Sequence, residues 1–140
     1  MAWPASGKKT GSSGAYFDGD GDKVVIADLD DVWNSNCTVD FWLWPHSTQT
    51  NDGESGMGVY IADFREGSTT GPVLAMGVAS GITNQLELRH GGTWGVIIDN
   101  ASGTAVTADA WNHIAITRSG DDYKLYIGGV EKGSATNLSL

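Results

Sequence analysis

The chain has 140 residues, a formal charge of −9 from 8 basic and 17 acidic residues, and one cysteine, Cys37. That length builds one domain with its own core. The charge opposes binding to nucleic-acid phosphates and anionic membrane surfaces, and a lone cysteine excludes an intrachain disulfide and a cysteine-based metal cluster.

Residues 1–14 are mostly Gly, Ser, Lys and Thr around one anchor pair, Trp3-Pro4, and read as an arm. Lys8 and Lys9 have no apolar run behind them, so the segment is no signal peptide. From Ala15 onward, short β-type runs alternate with turn signals. Tyr16-Phe17 and Lys23-Val-Val-Ile-Ala27 flank the Asp18-Gly-Asp-Gly-Asp22 turn, and residues 28–34 have room for one helical turn. Residues 38–44 form the strongest predicted strand: Val39, Phe41 and Leu43 fall on one face, Asp40, Trp42 and Trp44 on the other. Cys37, at the head of this run, is expected to be a buried or half-buried bystander thiol.

A polar loop from Pro45 to about Ser55 precedes strands expected at 58–65, 72–79, 84–89 and 93–99, the last two joined by a hairpin turn at Arg89-His-Gly-Gly-Thr93. Strands at 111–118, 123–127 and 130–133 close the series. No segment of helical length carries the 3.6-residue period, and no apolar stretch approaches the ~20 residues of a membrane span. Short strands at this spacing predict an all-β, two-sheet antiparallel sandwich or jelly roll, with no internal boundary after residue 15.

Three segments together resemble the laminin G-like, concanavalin A-like domains. Residues 15–26 resemble the family's opening strand pair. Cys37-Thr-Val-Asp-Phe-Trp-Leu-Trp-Pro45 is similar to its T-φ-E-F-W-φ-x-P strand, with Asp40 in the acidic place. Ala110-Trp-Asn-His-Ile-Ala-Ile-Thr-Arg-Ser-Gly120 and Lys124-Leu-Tyr-Ile-Gly-Gly-Val130 are similar to its closing hairpin, W-x-H-φ-A-φ-T-R followed by L-Y-φ-D-G. The resemblance spans about residues 15–135 and implies the sandwich, with Trp111 and His113 as packed structural residues. The sequence departs from the pattern at Gly128, where the family often has Asp, and after residue 135, where such domains usually add a strand. Alternation agrees with the resemblance: Ile114 and Ile116 point to one side of their strand, and Leu125 and Ile127 can meet them across the hairpin.

The chemistry readings weigh against catalysis. Glycoside hydrolysis needs two facing carboxylates, and glucanases resembling this fold carry them clustered on one strand. Glu54, Glu66, Glu87 and Glu131 instead sit in different segments. There is no G-x-S-x-G elbow, and His46, His90 and His113 lack zinc spacing. Asp18, Asp20 and Asp22 alternate like the first calcium ligands of a loop, yet Lys23 and Leu29 stand where an EF-hand needs Gly and Glu. Asp/Gly-rich turns also form without metal. The expectation is no cofactor, with calcium at Asp18, Asp20 and Asp22 as the alternative. For sugar binding, Trp44 and Trp94 are the candidate aromatic platforms, each beside a turn or loop; core or interface packing is the competing reading of both.

Two functions follow. One is a structural or adhesion subunit of a larger assembly, such as the capsid decoration, tail or fibre of a virion, with glycan binding as a further property. The alternative is a free-standing lectin-like module. The assembly reading expects synthesis in the cytoplasm without export signal and a homo-oligomer or docked subunit. Trp3 in the arm, which fourteen extended residues let reach up to roughly 45 Å, or the Leu138–Leu140 tail would pack on an adjacent chain, using a sheet edge left unpaired.

Overall fold

A computed structural model describes residues 14–17, 22–26, 33, 35–46, 59–65, 71–77, 84–90, 95–98 and 102–136. Within them lie eight strands: β1 Cys37–Leu43, β2 Val59–Asp63, β3 Pro72–Met76, β4 Leu86–His90, β5 Val96–Ile98, β6 Asn112–Ser119, β7 Asp122–Ile127 and β8 Val130–Ala135. They form two antiparallel sheets of four, ordered β1-β6-β7-β8 and β2-β3-β4-β5. The all-β sandwich expected from periodicity is therefore the fold. No helix among the described residues is long and apolar enough to cross a membrane.

The two-residue alternation of each strand decides its faces. In the first sheet Val39 pairs with Ile116 and Phe41 with Ile114, while Ile116 and Ile114 pair with Leu125 and Ile127 on β7. These rows face the second sheet, whose Leu74, Met76, Leu86 and Leu88 complete the core with Ile98, Val106 and Tyr123. Tight turns lock the register. Gly128 and Gly129 both have positive φ, 60° and 79°, as a two-residue turn of type I′ between β7 and β8 requires. The glycine at 128 thus meets the same backbone demand as the Asp more usual there, because either residue tolerates the left-handed region.

The two margins of the sandwich differ. β5 packs on β8 and β7, and the approach is so close that a Cβ on Gly133 would run into the Ile98 side chain. At the opposite margin, β1 and β2 are the edge strands of their sheets. Their inward residues Cys37, Val39, Phe41, Leu43, Ile61 and Ala62 touch the core but stay only partly buried. Trp33, in a single 3-10 turn, plugs one end of this margin: its ring lies 4.9 Å from that of Phe64, edge-on, and 6.2 Å from that of Tyr123, stacked.

Two expectations are corrected. Residues 22–26, with high β-propensity, and Tyr16-Phe17 are in no strand; Val24, Val25 and Ile26 are 65%, 76% and 66% exposed. Strand propensity reflects fit to a half-buried pleated surface, and no strand among the described residues pairs with them. The strand expected at 38–44 ends at Leu43, because Pro45 carries no N–H for a further ladder bond.

Candidate functional site

The outward faces of the two sheets are unlike. On the second sheet, Tyr60 pairs with Ala75 and Ala75 with Glu87, while Asp63 pairs with Val73 and Val73 with Arg89. These residues point away from the core, yet Val73 and Ala75 are fully buried and Glu87 is 2% exposed. Glu87 is ion-paired to Arg89. Arg65 grips Asp63 through its Nε, 2.8 Å from Oδ1, and its Nη2, and its guanidinium lies 5.7 Å from the centre of the Tyr60 ring. Burial pushes the Asp63 carboxyl up, but the Arg65 side chain, backbone N–H and charge together hold it below the ordinary carboxylate range. Carboxylates held by arginine are poor proton donors at neutral pH, the opposite of what a glycosidase general acid needs.

Among the described residues, the outward face of the first sheet is the more exposed of the two. The polar phase of β1 brings Thr38, Asp40 and Trp42 to it, that of β6 His113, Ala115 and Thr117, and that of β7 Lys124 and Tyr126. Register sets Asp40, Ala115, Tyr126 and Glu131 in one row across four strands, with Trp42 beside His113 in the next. Trp42 is 41% exposed. Its ring lies 5.0 Å from the His113 imidazole, tilted by 49°, and His113 Nε2 is 3.2 Å from Asp40 Oδ2. Lys124 Nζ is 3.0 Å from Glu131 Oε2. The small Ala115 side chain keeps the floor low between Asp40 and Tyr126. By standard strand spacings, Trp42 and Tyr126 stand about 12 Å apart at their Cα positions.

This arrangement is an aromatic plate with a fixed carboxylate–imidazole pair beside it and hydroxyls of Thr38, Thr117 and Tyr126 further along. A ring with one apolar C–H face and equatorial hydroxyls meets both needs here, stacking on an aromatic plane and hydrogen bonding to polar groups fixed by their neighbours.

The residues singled out from sequence fall differently. Trp44 is half-buried and turned onto Trp111, ring centres 5.5 Å apart and near perpendicular. Its neighbour Trp42, on the same phase of the strand, is 41% exposed. His113, which the resemblance implies to be a packed structural residue, lies on the outward face, hydrogen-bonded to Asp40 and against the Trp42 ring. Asp22 is exposed; Asp18, Asp20, Trp94, Trp3, Leu138 and Leu140 lie outside the described residues. Among the described residues no group of three or more His, Cys, Asp or Glu is placed to hold a metal ion.

The model of the concanavalin A-like lectin/glucanases superfamily, laminin G type, matches residues 18–140. The chain belongs to this family. No curated protein and no solved structure matches it.

Proposed function

We propose that this domain is a non-catalytic carbohydrate-binding module whose contact surface is the outward face of the β1-β6-β7-β8 sheet. The observation that carries the reading is the exposed Trp42 ring beside the His113–Asp40 pair. Membership of a superfamily of lectins and glucanases supports a sugar ligand, and the arginine-held carboxylates of the other face support binding without turnover. The test is affinity electrophoresis through polysaccharide-containing gels, comparing the native protein with Trp42→Ala. Retardation by at least one polysaccharide, lost in the variant while its circular dichroism is unchanged, is expected. Equal retardation of both proteins would place any sugar site elsewhere, with Trp44 and Trp94 the next to replace. Hydrolysis of the retarding polysaccharide would overturn the non-catalytic part.

A second reading, a subunit of a larger assembly such as a virion surface, draws support from the exposed Val24–Ile26 run and the partly buried margin of β1 and β2. An apolar strand-prone segment and a sheet edge with no partner strand among the described residues are the two halves of strand addition between chains. The native mass in solution tests it; a monomer at high concentration would remove the support.

A further inference from the structure

Resting on the assembly reading above, we infer that the partner of the Val24–Ile26 run is a second copy of this chain, and that two copies exchange their runs reciprocally at the β1–β2 margin. Three observations carry this.

The first is that one chain holds both halves of the contact. Val24, Val25 and Ile26 are 65%, 76% and 66% exposed. At the margin, the inward residues Val39, Phe41 and Leu43 of β1 and Ile61 of β2 touch the core, yet all remain partly accessible. Their neighbours one strand further in, Ile116 opposite Val39 and Ile114 opposite Phe41, are fully buried. An apolar run and an apolar seat thus both meet water on the same molecule.

The second is phase and reach. The run lies within the family match, residues 18–140, so it belongs to the domain. Extended as a strand, it sets Val24 and Ile26 on one side and Lys23 and Val25 on the other. That is the spacing at which Val39 and Phe41 recur along β1. Trp33, held at one end of the margin against Phe64 and Tyr123, tethers the run. The six residues between them, 27–32, span up to about 20 Å when extended, enough to reach a neighbouring copy.

The third is closure. When each of two copies lays its run on the other's margin, both runs and both margins are covered, and the assembly closes with twofold symmetry. A different protein that received the run would leave the margin exposed, and one that filled the margin would leave the run exposed. Charge supplies an independent signature of a like partner. Each copy carries −9, so their approach is opposed by repulsion that salt screens. Self-association therefore strengthens with salt, whereas association with a basic partner weakens.

The experiment measures the mass of the full chain by sedimentation equilibrium over a wide range of concentration, at low and high salt, with hydrogen exchange on the same samples. A monomer–dimer equilibrium is expected, tighter at high salt, in which the amides of residues 23–26 gain protection as dimer forms. Val24→Ser combined with Ile26→Ser should weaken the dimer about tenfold or more. The circular dichroism of the dilute protein should not change, since both side chains are exposed in the single chain. A synthetic peptide of residues 20–28, added to the native protein, tests the same contact without altering the fold and should split the dimer into monomers. A dimer indifferent to both the double variant and the peptide, a dimer loosened by salt, or an open-ended series of larger oligomers overturns this inference and leaves the assembly reading standing. A monomer at every concentration removes both.

Discussion

Asn112, at the start of β6, ties the preceding segment to the sandwich through its side chain. Its Oδ1 accepts from the Thr107 backbone N–H at 2.9 Å, while Nδ2 donates to the carbonyls of Thr107 at 2.9 Å and Ala110 at 2.8 Å, with Leu43 O 3.5 Å away. Asn112 is only 8% exposed, so water replaces these bonds poorly once they are lost. At about 1 kcal/mol for each of the three short bonds, Asn112→Ala should destabilise the domain by about 3 kcal/mol. For a chain of this size that corresponds to a Tm lower by about 10 °C. Urea unfolding followed by tryptophan fluorescence should show the midpoint falling at unchanged slope. Asn112→Asp separates geometry from chemistry. It keeps the acceptor for Thr107 N–H but sets a carboxylate oxygen against two carbonyls, so at neutral pH it should be at least as unstable as the alanine variant. Protonation turns that oxygen into a donor. The introduced carboxyl is thus raised in the folded state, and stability should return as pH falls through its folded value. A loss under about 0.5 kcal/mol for Asn112→Ala, within the range of an ordinary surface change, or a neutral-pH Asn112→Asp as stable as the native protein, would refute the reasoning.

Asp63→Asn removes the carboxyl that Arg65 holds below the ordinary range. A depressed carboxyl stabilises above its unfolded value and loses that contribution as pH falls through its folded one, so the Tm gap to the native protein should be constant near neutrality and close below about pH 4. Burial, set against weaker opposing effects of the Arg118 charge and backbone, raises the Cys37 thiol. Its reaction with a disulfide reagent should be slow at pH 8 and speed up only well above the ordinary thiol range, unless urea is added. Trp33→Ala, which leaves Phe64 and Tyr123 facing a void, should destabilise by about 3–5 kcal/mol in the same urea assay.

The fold was largely legible because β1, β6 and β7 alternate cleanly, and alternation fixes both the strand and its faces. Ile114 and Ile116 meet Ile127 and Leu125 as their positions imply. The site was less legible. Asp40 and His113 are 73 residues apart, and only the β1–β6 register brings them within 3.2 Å; the available signal was that both occupy the polar phase of strands bearing the family motifs. Trp42 and Trp44 share a phase, and what separates them is the neighbour each meets: Trp42 lies beside the His113 imidazole and stays exposed, whereas Trp44 lies edge-on to the Trp111 ring and is half-buried. The Lys23–Ile26 run shows the limit of propensity: four residues suited to a strand make none where no strand among the described residues receives them.

Seven of the eight strands pair along meanders, β2 to β5 and β6 to β8, whereas β1 reaches forward to β6. During synthesis from the N-terminus, β1 therefore leaves the ribosome with its partner still unmade. Leu43 and Asn112 are 69 residues apart, and at about 5–20 residues per second that gap amounts to roughly 3–14 s. Throughout this interval β1 has no strand to pair with, while the β2–β5 meander can already assemble beside it. The nascent chain is then most exposed to holdase chaperones and to mispairing within polysomes. A release of bound chaperone that coincides with the emergence of β6 is the signature this topology imposes on translation.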